Sequence, residues 1–444
     1  MQRFPHALVI MVSFILFVSL LTYIIPQGQY ERQEDTVLHR EMVVPGSFHY
    51  IEPHPPSIFQ TFMAVPEGMI RAADLLVLIL LLGGSFYVIE KTGAIRDGVL
   101  FTTGLLQGKE QLGLLVISLL FATAGALNGM QEEIIALIPV LMFFTDKLGY
   151  NSYVTVCVSF GAAILGAAFS PMNPFAVGIA QKTAEVPLLS GGAYRMGVFL
   201  AAFLLWMGMV IRYANRTRKV PAEPQTGEKH PISARSAAIL GMTAITFAVM
   251  IYGLLGLGWG FNEMSAEFFV LGIVAGLVGK LGLNGTSEAY IEGFKEMIFA
   301  VVIIGLANGI TIILQKGLII DTIIHGLFTP LGYLPKSLAA VSMMVAQALL
   351  HFPVPSYSGQ AVLTMPILAP LSDLIGISRQ VCVLAYQYGA VLMDLLTPTN
   401  GALMAVITLA GIRYNDWFRF IIRPLLAILL LCGFALVLAV FLGY

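Results

Sequence analysis

Long apolar runs separated by short polar breaks dominate the chain. They cover residues 7–25, 72–90, 151–182, 193–211, 237–257, 265–278, 298–314, 379–410 and 418–442. A bilayer core needs about 20 apolar residues for one helical crossing, so most of these runs predict membrane spans. Run 7–25 is long for the apolar part of a secretory signal and no small-x-small cleavage pattern follows it, so it reads as a retained first span. Segments 94–107 and 318–328 are too short to cross and mix Arg96, Asp97 or Asp321 with apolar residues, which suits interfacial helices.

Composition sharpens this picture. Apolar residues make up 58% of the 444 positions and charged residues 11%, and the mean hydropathy is +0.86. A soluble domain carries about 25% charged residues, so the pattern excludes a soluble or singly anchored protein and predicts an all-α polytopic protein whose main partner is the lipid bilayer. The formal net charge is -1 and no long basic run occurs, which argues against a nucleic-acid partner. Cys157, Cys382 and Cys432 lie far apart inside apolar runs and suggest neither a disulfide framework nor a metal site.

Charge also sets an expected orientation. Arg212, Arg216, Arg218, Lys219, Lys229 and Arg235 crowd one loop, which the positive-inside rule places in the cytoplasm. The stretch 27–71 holds Glu31, Glu34, Asp35, Glu41 and Glu52 before Glu67, against Arg32, Arg40 and Arg71, and reads as an extracytoplasmic loop. The expected arrangement in the cytoplasmic (inner) membrane has the N-terminus inside and the C-terminus outside.

Two segments depart from the simple span pattern. Between Glu110 and Asp146 the only charges are Glu132 and Glu133, just after Asn128-Gly129. The arms on either side look short for full spans, so residues 109–147 read as a re-entrant hairpin whose tip stops inside the membrane, where protein or trapped water satisfies irregular backbone. Residues 336–373 repeat the design around Pro353-Val354-Pro355-Ser356-Tyr357-Ser358-Gly359-Gln360. Two ordinary helices joined by a surface loop are the plainer alternative.

An internal repeat favours hairpins. An offset of 227 positions aligns Pro139 with Pro366, Asp146 with Asp373, Gly149 with Gly376, Pro171 with Pro398 and Asn173 with Asn400 without a gap. The expected organisation is a first repeat over 1–211 with its hairpin and a broken helix at 151–184. A cytoplasmic loop and linking span over 212–263 follow. The second repeat, over 264–444, has a broken helix at 378–411 and is inserted upside down. Inverted repeats with broken helices are the plan of secondary transporters, with the site where the tips meet near the midplane. The breaks, Ser170-Pro171-Met172-Asn173-Pro174 and Thr397-Pro398-Thr399-Asn400-Gly401, remove backbone donors. They would offer carbonyl oxygens to a cation and helix N-termini to an anion.

Further motifs carry a resemblance. Pro66-Glu67-Gly68-Met69 with Ala73-Asp74, Gly83-Gly84 before Thr92-Gly93-Ala94, and Asn173 to Gln181 resemble the anaerobic C4-dicarboxylate carrier family. So do the stretch from Pro355 to Pro366 and Pro398-Thr399-x-Gly401-x-Leu403-Met404, and the similarity covers most of the chain. The nearest branch is the YfcC-like one, assigned to basic amino-acid antiport, within the ion transporter superfamily. The resemblance implies an elevator-type symporter or antiporter, often a homodimer, with a scaffold and a mobile transport domain holding both hairpins. Its substrate would be a dicarboxylate, a basic amino acid of arginine or ornithine type, or a related metabolite. Two positions depart from the family: Tyr357 stands where a small residue is usual, and Ala390-Val391 stand where Asp-Gly follows Gly389. Asp394, four residues after Ala390 and hence on the same helical face, is a candidate replacement for the missing carboxylate.

The expected substrate contacts are Asn128, Glu132, Glu133, Ser170, Asn173, Ser356, Tyr357, Ser358, Gln360, Thr399 and Asn400. Coupling to Na⁺ or H⁺ is assigned to Glu132, Asn173, Asp394, Thr397 and Asn400, with no other cofactor or metal. No Lys or Arg falls in the middle of a predicted span or tip, whereas intramembrane carboxylates mark ion pathways or a cationic ligand. Only one of Glu132 and Glu133 is expected to face the site, because adjacent helical residues point apart. Asp74 is read as a partner of Arg71, Asn308-Gly309 as helix packing, and His351 as a cap or packing residue with a proton relay as the other reading. An enzyme is disfavoured, since no His-Glu-x-x-His or nucleophile–base pattern occurs. A channel or a cation/proton exchanger at the same hairpins is the competing function.

Overall fold

The structure is a computed structural model, and it describes residues 7–35, 40–105, 108–129, 131–219 and 232–444. Lys229 and positions 106–107, used above, lie outside the described residues, as do positions 220–231 of the basic loop. The helices are α1 (Ala7–Ile24), α2 (Ile58–Arg71), α3 (Ala73–Lys91), α4 (Ala94–Leu105), α5 (Glu110–Asn128), α6 (Glu132–Lys147), α7 (Ser152–Val156), α8 (Ala162–Phe169), α9 (Ile179–Thr183) and α10 (Gly192–Thr217). They continue with α11 (Ala234–Tyr252), α12 (Phe261–Val278), α13 (Gly282–Lys316), α14 (Ile320–Phe328), α15 (Lys336–His351), α16 (Tyr357–Ile375), α17 (Arg379–Leu392), α18 (Gly401–Leu409) and α19 (Tyr414–Phe441). Among the described residues, 8 helices are long and apolar enough to cross a membrane.

Three features differ from the sequence reading. The 27–71 stretch is not all loop. It forms two antiparallel ladders, β1 (Gly28–Gln29) with β4 (His49–Tyr50) and β2 (Arg32–Asp35) with β3 (Arg40–Val43), and then α2. Ser57 starts α2 with a reciprocal capping box to Gln60, and the helix carries Pro66 without breaking. Second, the polar stretch before residue 298 is helical, so α13 runs for 35 residues. At 1.5 Å per residue that is about 52 Å, longer than the bilayer core. Lys295 and Glu292 pair at 2.6 Å on its exposed part. Third, one arm at the first tip is longer than read: α5 has 19 residues, against 16 for α6, while at the second tip α15 has 16 and α16 has 19.

Glycines set the closest helix crossings. A Cβ on Gly166 of α8 would run into the Ala122 carbonyl oxygen, and one on Gly125 of α5 into that of Ala163. On the other side of the molecule a Cβ on Gly389 of α17 would run into the Met344 carbonyl of α15. The first arm beside each tip is thus pressed against the first part of a broken helix. Gly68 of α2 meets Gly305 and Gly309 of α13 in the same manner, which places α2, α3 and α13 in one packed group. The Asn308-Gly309 packing expectation fits this for Gly309.

Candidate functional site

Both tips and both breaks converge on one cavity of about 790 Å³. Gly129, Gln131, Glu132 and Glu133 reach it from the α5–α6 connection, and Pro355, Ser356, Tyr357 and Ser358 from the α15–α16 connection. Asp394, Thr399 and Asn400 come from the second break, Pro174 and Phe175 from the first, and Arg71, Asn308 and Thr311 close the side formed by α2 and α13. Sequence reasoning kept Asn308 as packing only. Its amide does donate to the Ile304 carbonyl at 3.1 Å, as a packed residue would, yet the residue also lines the cavity.

The connection at Gly129 turns through a left-handed backbone (φ +68), which a side chain would strain, and a Cβ there would meet the Tyr357 hydroxyl at 2.7 Å. Tyr357 in turn donates to the Gly129 carbonyl at 3.3 Å and accepts from Gln131 Nε2 at 3.3 Å. Its hydroxyl therefore bridges the two tips. Glu132 and Glu133 open α6 in its first turn, where the exposed N–H groups favour negative charge. Both line the cavity, contrary to the expectation that only one would, because at a helix start both side chains border the same irregular connection. Glu133 is 5% exposed and its Oε2 has no hydrogen-bond partner among the described residues. A buried oxygen without a donor is costly, so this one is suited to a ligand that brings a donor.

Asp394 behaves differently. Its Oδ1 lies 2.7 Å from His351 Nε2 and accepts from Asn400 Nδ2, and its Oδ2 accepts from Gln131 Nε2 at 2.7 Å. His351 Nδ1 lies 3.0 Å from Gln360 Oε1, and Gln360 Nε2 donates to the Gln347 carbonyl at 2.7 Å. His351 is thus no isolated cap. Residues 393–395 form a short 3-10 turn rather than a continuation of α17, so Asp394 does not keep the helical face assumed from Ala390.

The breaks are plugged from within the protein. Gln387 of α17 donates to the carbonyls of Ala167 at 3.1 Å and Ser170 at 2.9 Å. Trp417 Nε1 donates to Leu395 at 2.8 Å, and the Tyr414 hydroxyl to Leu396 at 2.8 Å. Of the carbonyls in the two breaks as read, that of Ser170 is met by the Gln387 amide. Asn173 and Asn400 cap the helical segments that follow, Asn173 Oδ1 accepting from Phe175 and Ala176 N–H and Asn400 Oδ1 from Leu403 N–H. Side-chain nitrogens of His351, Asn400 and Gln131 surround Asp394. Thr397 Oγ1 is buried with no partner among the described residues, but it does not line the cavity.

Of the other expected contacts, Ser170 and Asn173 hold backbone rather than cavity: Ser170 Oγ donates to the Ala126 carbonyl at 2.6 Å, and Asn173 Nδ2 to that of Gly125 at 2.7 Å. Gln360 sits behind the tip, against His351. Asn128 ends α5, and its side chain lies outside the described residues. Arg71 donates to Gln315 Oε1 at 2.7 Å rather than pairing with exposed Asp74. Gln131, Gln347, Gln387 and Arg195 were missed. Arg195, near the start of α10, is fully buried and donates to Gln387 and Gln380.

A polar cavity reached by two helix-pair tips and two broken helices, within a bundle of membrane-length helices, defines a membrane transport protein and not an enzyme. The chain belongs to the C4-dicarboxylate anaerobic carrier (DcuC) family, whose model matches residues 4–441. It is 31% identical to the Escherichia coli (strain K12) protein named "Putative basic amino acid antiporter YfcC", over 94% of this chain and 92% of that one. It is 32% identical to an uncharacterized protein of Haemophilus influenzae (strain ATCC 51907 / DSM 11121 / KW20 / Rd), over 89% of this chain and 81% of that one. Among solved structures, the YdaH transporter of Alcanivorax borkumensis aligns over 99% of both chains at 16% identity with a TM-score of 0.45, a loose likeness.

Proposed function

We propose that this protein is a secondary active transporter that moves a small metabolite bearing both a carboxylate and a cationic group, foremost a basic amino acid of arginine or ornithine type. The observation that carries the reading is the unpartnered, buried Oε2 of Glu133. Glu133 lines a cavity whose charged lining residues are Glu132, Glu133 and Asp394 against Arg71. A guanidinium or ammonium group supplies the donors that Glu133 lacks, since a buried carboxylate needs a partner. The substrate's carboxylate has two places to go: Arg71, and the N-terminus of α16, where a helix end favours an anion and Ser356 and Ser358 add hydroxyls. The name of the Escherichia coli relative supports the same substrate class.

In this reading the tips belong to re-entrant hairpins, the two halves are inverted repeats over 1–211 and 264–444 joined by 212–263, and the transport domain moves against a dimeric scaffold as an elevator. The N-terminus is cytoplasmic and the C-terminus external, in the inner membrane. The family's C4-dicarboxylate description supports a second substrate class, for which Arg71 and the helix N-termini would be the anchors. A channel at the same tips would show conductance far above carrier turnover.

The test is a thermal-shift screen of purified protein, because a ligand that binds only the folded state raises its melting temperature, by about 2.7 kcal/mol of stability at one hundred times Kd. Arginine, ornithine and lysine are expected to stabilise, and the effect to vanish in Glu133→Gln. Stabilisation by succinate or fumarate alone would replace this substrate class with the dicarboxylate one.

A further inference from the structure

We infer that His351 and Asp394 form one proton-binding site, and that its proton is the ion coupled to transport; the second clause rests on the transporter reading above. The argument comes from the direction of each hydrogen bond around the pair. Thr364 Oγ1 donates to the Gln360 carbonyl at 2.8 Å, so it accepts from Gln347 Nε2 at 2.8 Å. That fixes the Gln347 amide with its oxygen toward Gln360. Gln360 Nε2 donates to this oxygen and to the Gln347 carbonyl, which leaves Gln360 Oε1, an acceptor, facing His351 Nδ1. Nδ1 must therefore carry hydrogen.

The other side of the ring is fixed in the same way. Asn400 Oδ1 accepts the Leu403 N–H at 2.8 Å, so its Nδ2 points at Asp394 Oδ1. Between His351 Nε2 and Asp394 Oδ1, at 2.7 Å, one further hydrogen is required. It sits on nitrogen, giving an imidazolium beside a carboxylate, or on oxygen, giving a neutral acid beside a neutral ring. Both forms carry one proton more than a neutral ring beside a carboxylate. Removing it takes the pair from net zero to minus one and leaves two acceptors facing each other, at Nε2–Oδ1 or, after tautomerisation, at Nδ1–Oε1.

The site is buried and yet has an exit. His351 is 0% exposed and Asp394 1%, but Asp394 borders the cavity, so the proton leaves to cavity water. Glu132 from α6, Tyr357 from α16 and Tyr386 from α17 lie near enough to interact with the Asp394 charge. Glu133 and Arg71 border the same cavity. Gln131 Nε2 ties Asp394 to the tip that carries Glu132 and Glu133. A change of charge at the pair therefore acts on the acidic tip through one hydrogen bond.

Two measurements test this. The first is solid-state ¹⁵N NMR of histidine-labelled protein in lipid, with His351→Gln used to pick its signal from the 7 histidines. At neutral pH Nδ1 of His351 is expected to be protonated; a bare Nδ1 with a protonated Nε2 overturns the site. The second is uptake of labelled arginine, with succinate as a second probe, into proteoliposomes under pH gradients of either sign or a Na⁺ gradient. One pH unit and one proton per substrate allow up to about tenfold accumulation. Wild-type accumulation is expected to follow the pH gradient and ignore Na⁺, and the gradient-to-no-gradient ratio to fall to about one in His351→Gln and Asp394→Asn. A ratio preserved in both variants, or driving by Na⁺ alone, overturns the coupling. If neither probe moves in the wild type, the transporter's substrate assignment fails, while the NMR result still decides the proton site.

Discussion

At the first helix break Asn173 turns its amide to the backbone of α5, whereas at the second break the matching Asn400 turns the same amide to the Asp394 carboxylate. The difference extends outward. Under the offset of 227, Asp394 corresponds to Ala167 and His351 to Ala124, while Glu132 and Glu133 correspond to Gly359 and Gln360. The first half therefore carries two acids at the cavity, one of them with an unpartnered oxygen, and the second half an acid enclosed by side-chain nitrogens of His351, Asn400 and Gln131. On the proposed reading, two copies of one local design hold charge in opposite ways: the copy open to a ligand leaves an acid oxygen unpartnered, and the closed copy surrounds its acid with side chains.

Breaking the open side is expected to have the largest effect. Glu133→Gln should abolish arginine uptake, a loss of about 100-fold or more given the 3–5 kcal/mol that goes with removing one member of a buried charge pair. Normal expression with uptake near wild type would remove the acidic-tip assignment. Overpacking either copy comes next. Gly166→Leu and Gly389→Leu force a side chain into backbone of the facing helix and should each cost about 1–3 kcal/mol, read as a fall in melting temperature in detergent. Equal falls would show that the two crossings are equivalent in packing even where their charges differ.

The caps separate the copies more finely. Asn173→Ala and Asn400→Ala each remove an N-cap worth about 0.5–2 kcal/mol, but only the second also strips a donor from a buried carboxylate. Asn400→Ala should therefore lower the melting temperature further, and Asp394→Asn combined with it should add less than its effect alone, a coupling that a double-mutant cycle measures. The smallest effect is expected from Tyr357→Phe, which removes the hydroxyl that joins the tips at 3.3 Å on each side. A net hydrogen bond is worth about 0.5–1.5 kcal/mol, so KM should shift by roughly two- to tenfold with the melting temperature almost unmoved.

Much of this site is legible in the sequence because breaks and tips use residues with strong local rules. Pro171, Pro398 and the asparagines after them end and restart helices wherever they stand, and Glu132-Glu133 cannot lie in an apolar run without a reason. The missed residues follow no local rule. Gln347 and Gln387 are ordinary in a helix and Gln131 in a connection, and their importance comes from partners that the fold brings to them: Gln131 and Asp394 are 263 positions apart. The helix α2 was missed for a related cause. Gln60, Glu67 and Pro66 give it a loop-like composition, and its stability comes from the capping box at Ser57 and from packing of Gly68 on α13. His351 was visible as a candidate, but without Asp394 beside it nothing in the sequence distinguishes a relay from a packed ring.

The contact of Gln387 with the carbonyls of Ala167 and Ser170 also sets a schedule. The donor is made 217 residues after Ser170. At synthesis rates of about 5–20 residues per second, the first broken helix waits roughly 10–40 s for its plug. During that interval its open carbonyls must be shielded by water, by the insertion machinery or by a temporary neighbour. The first broken helix is thus completed only after α17 has been made.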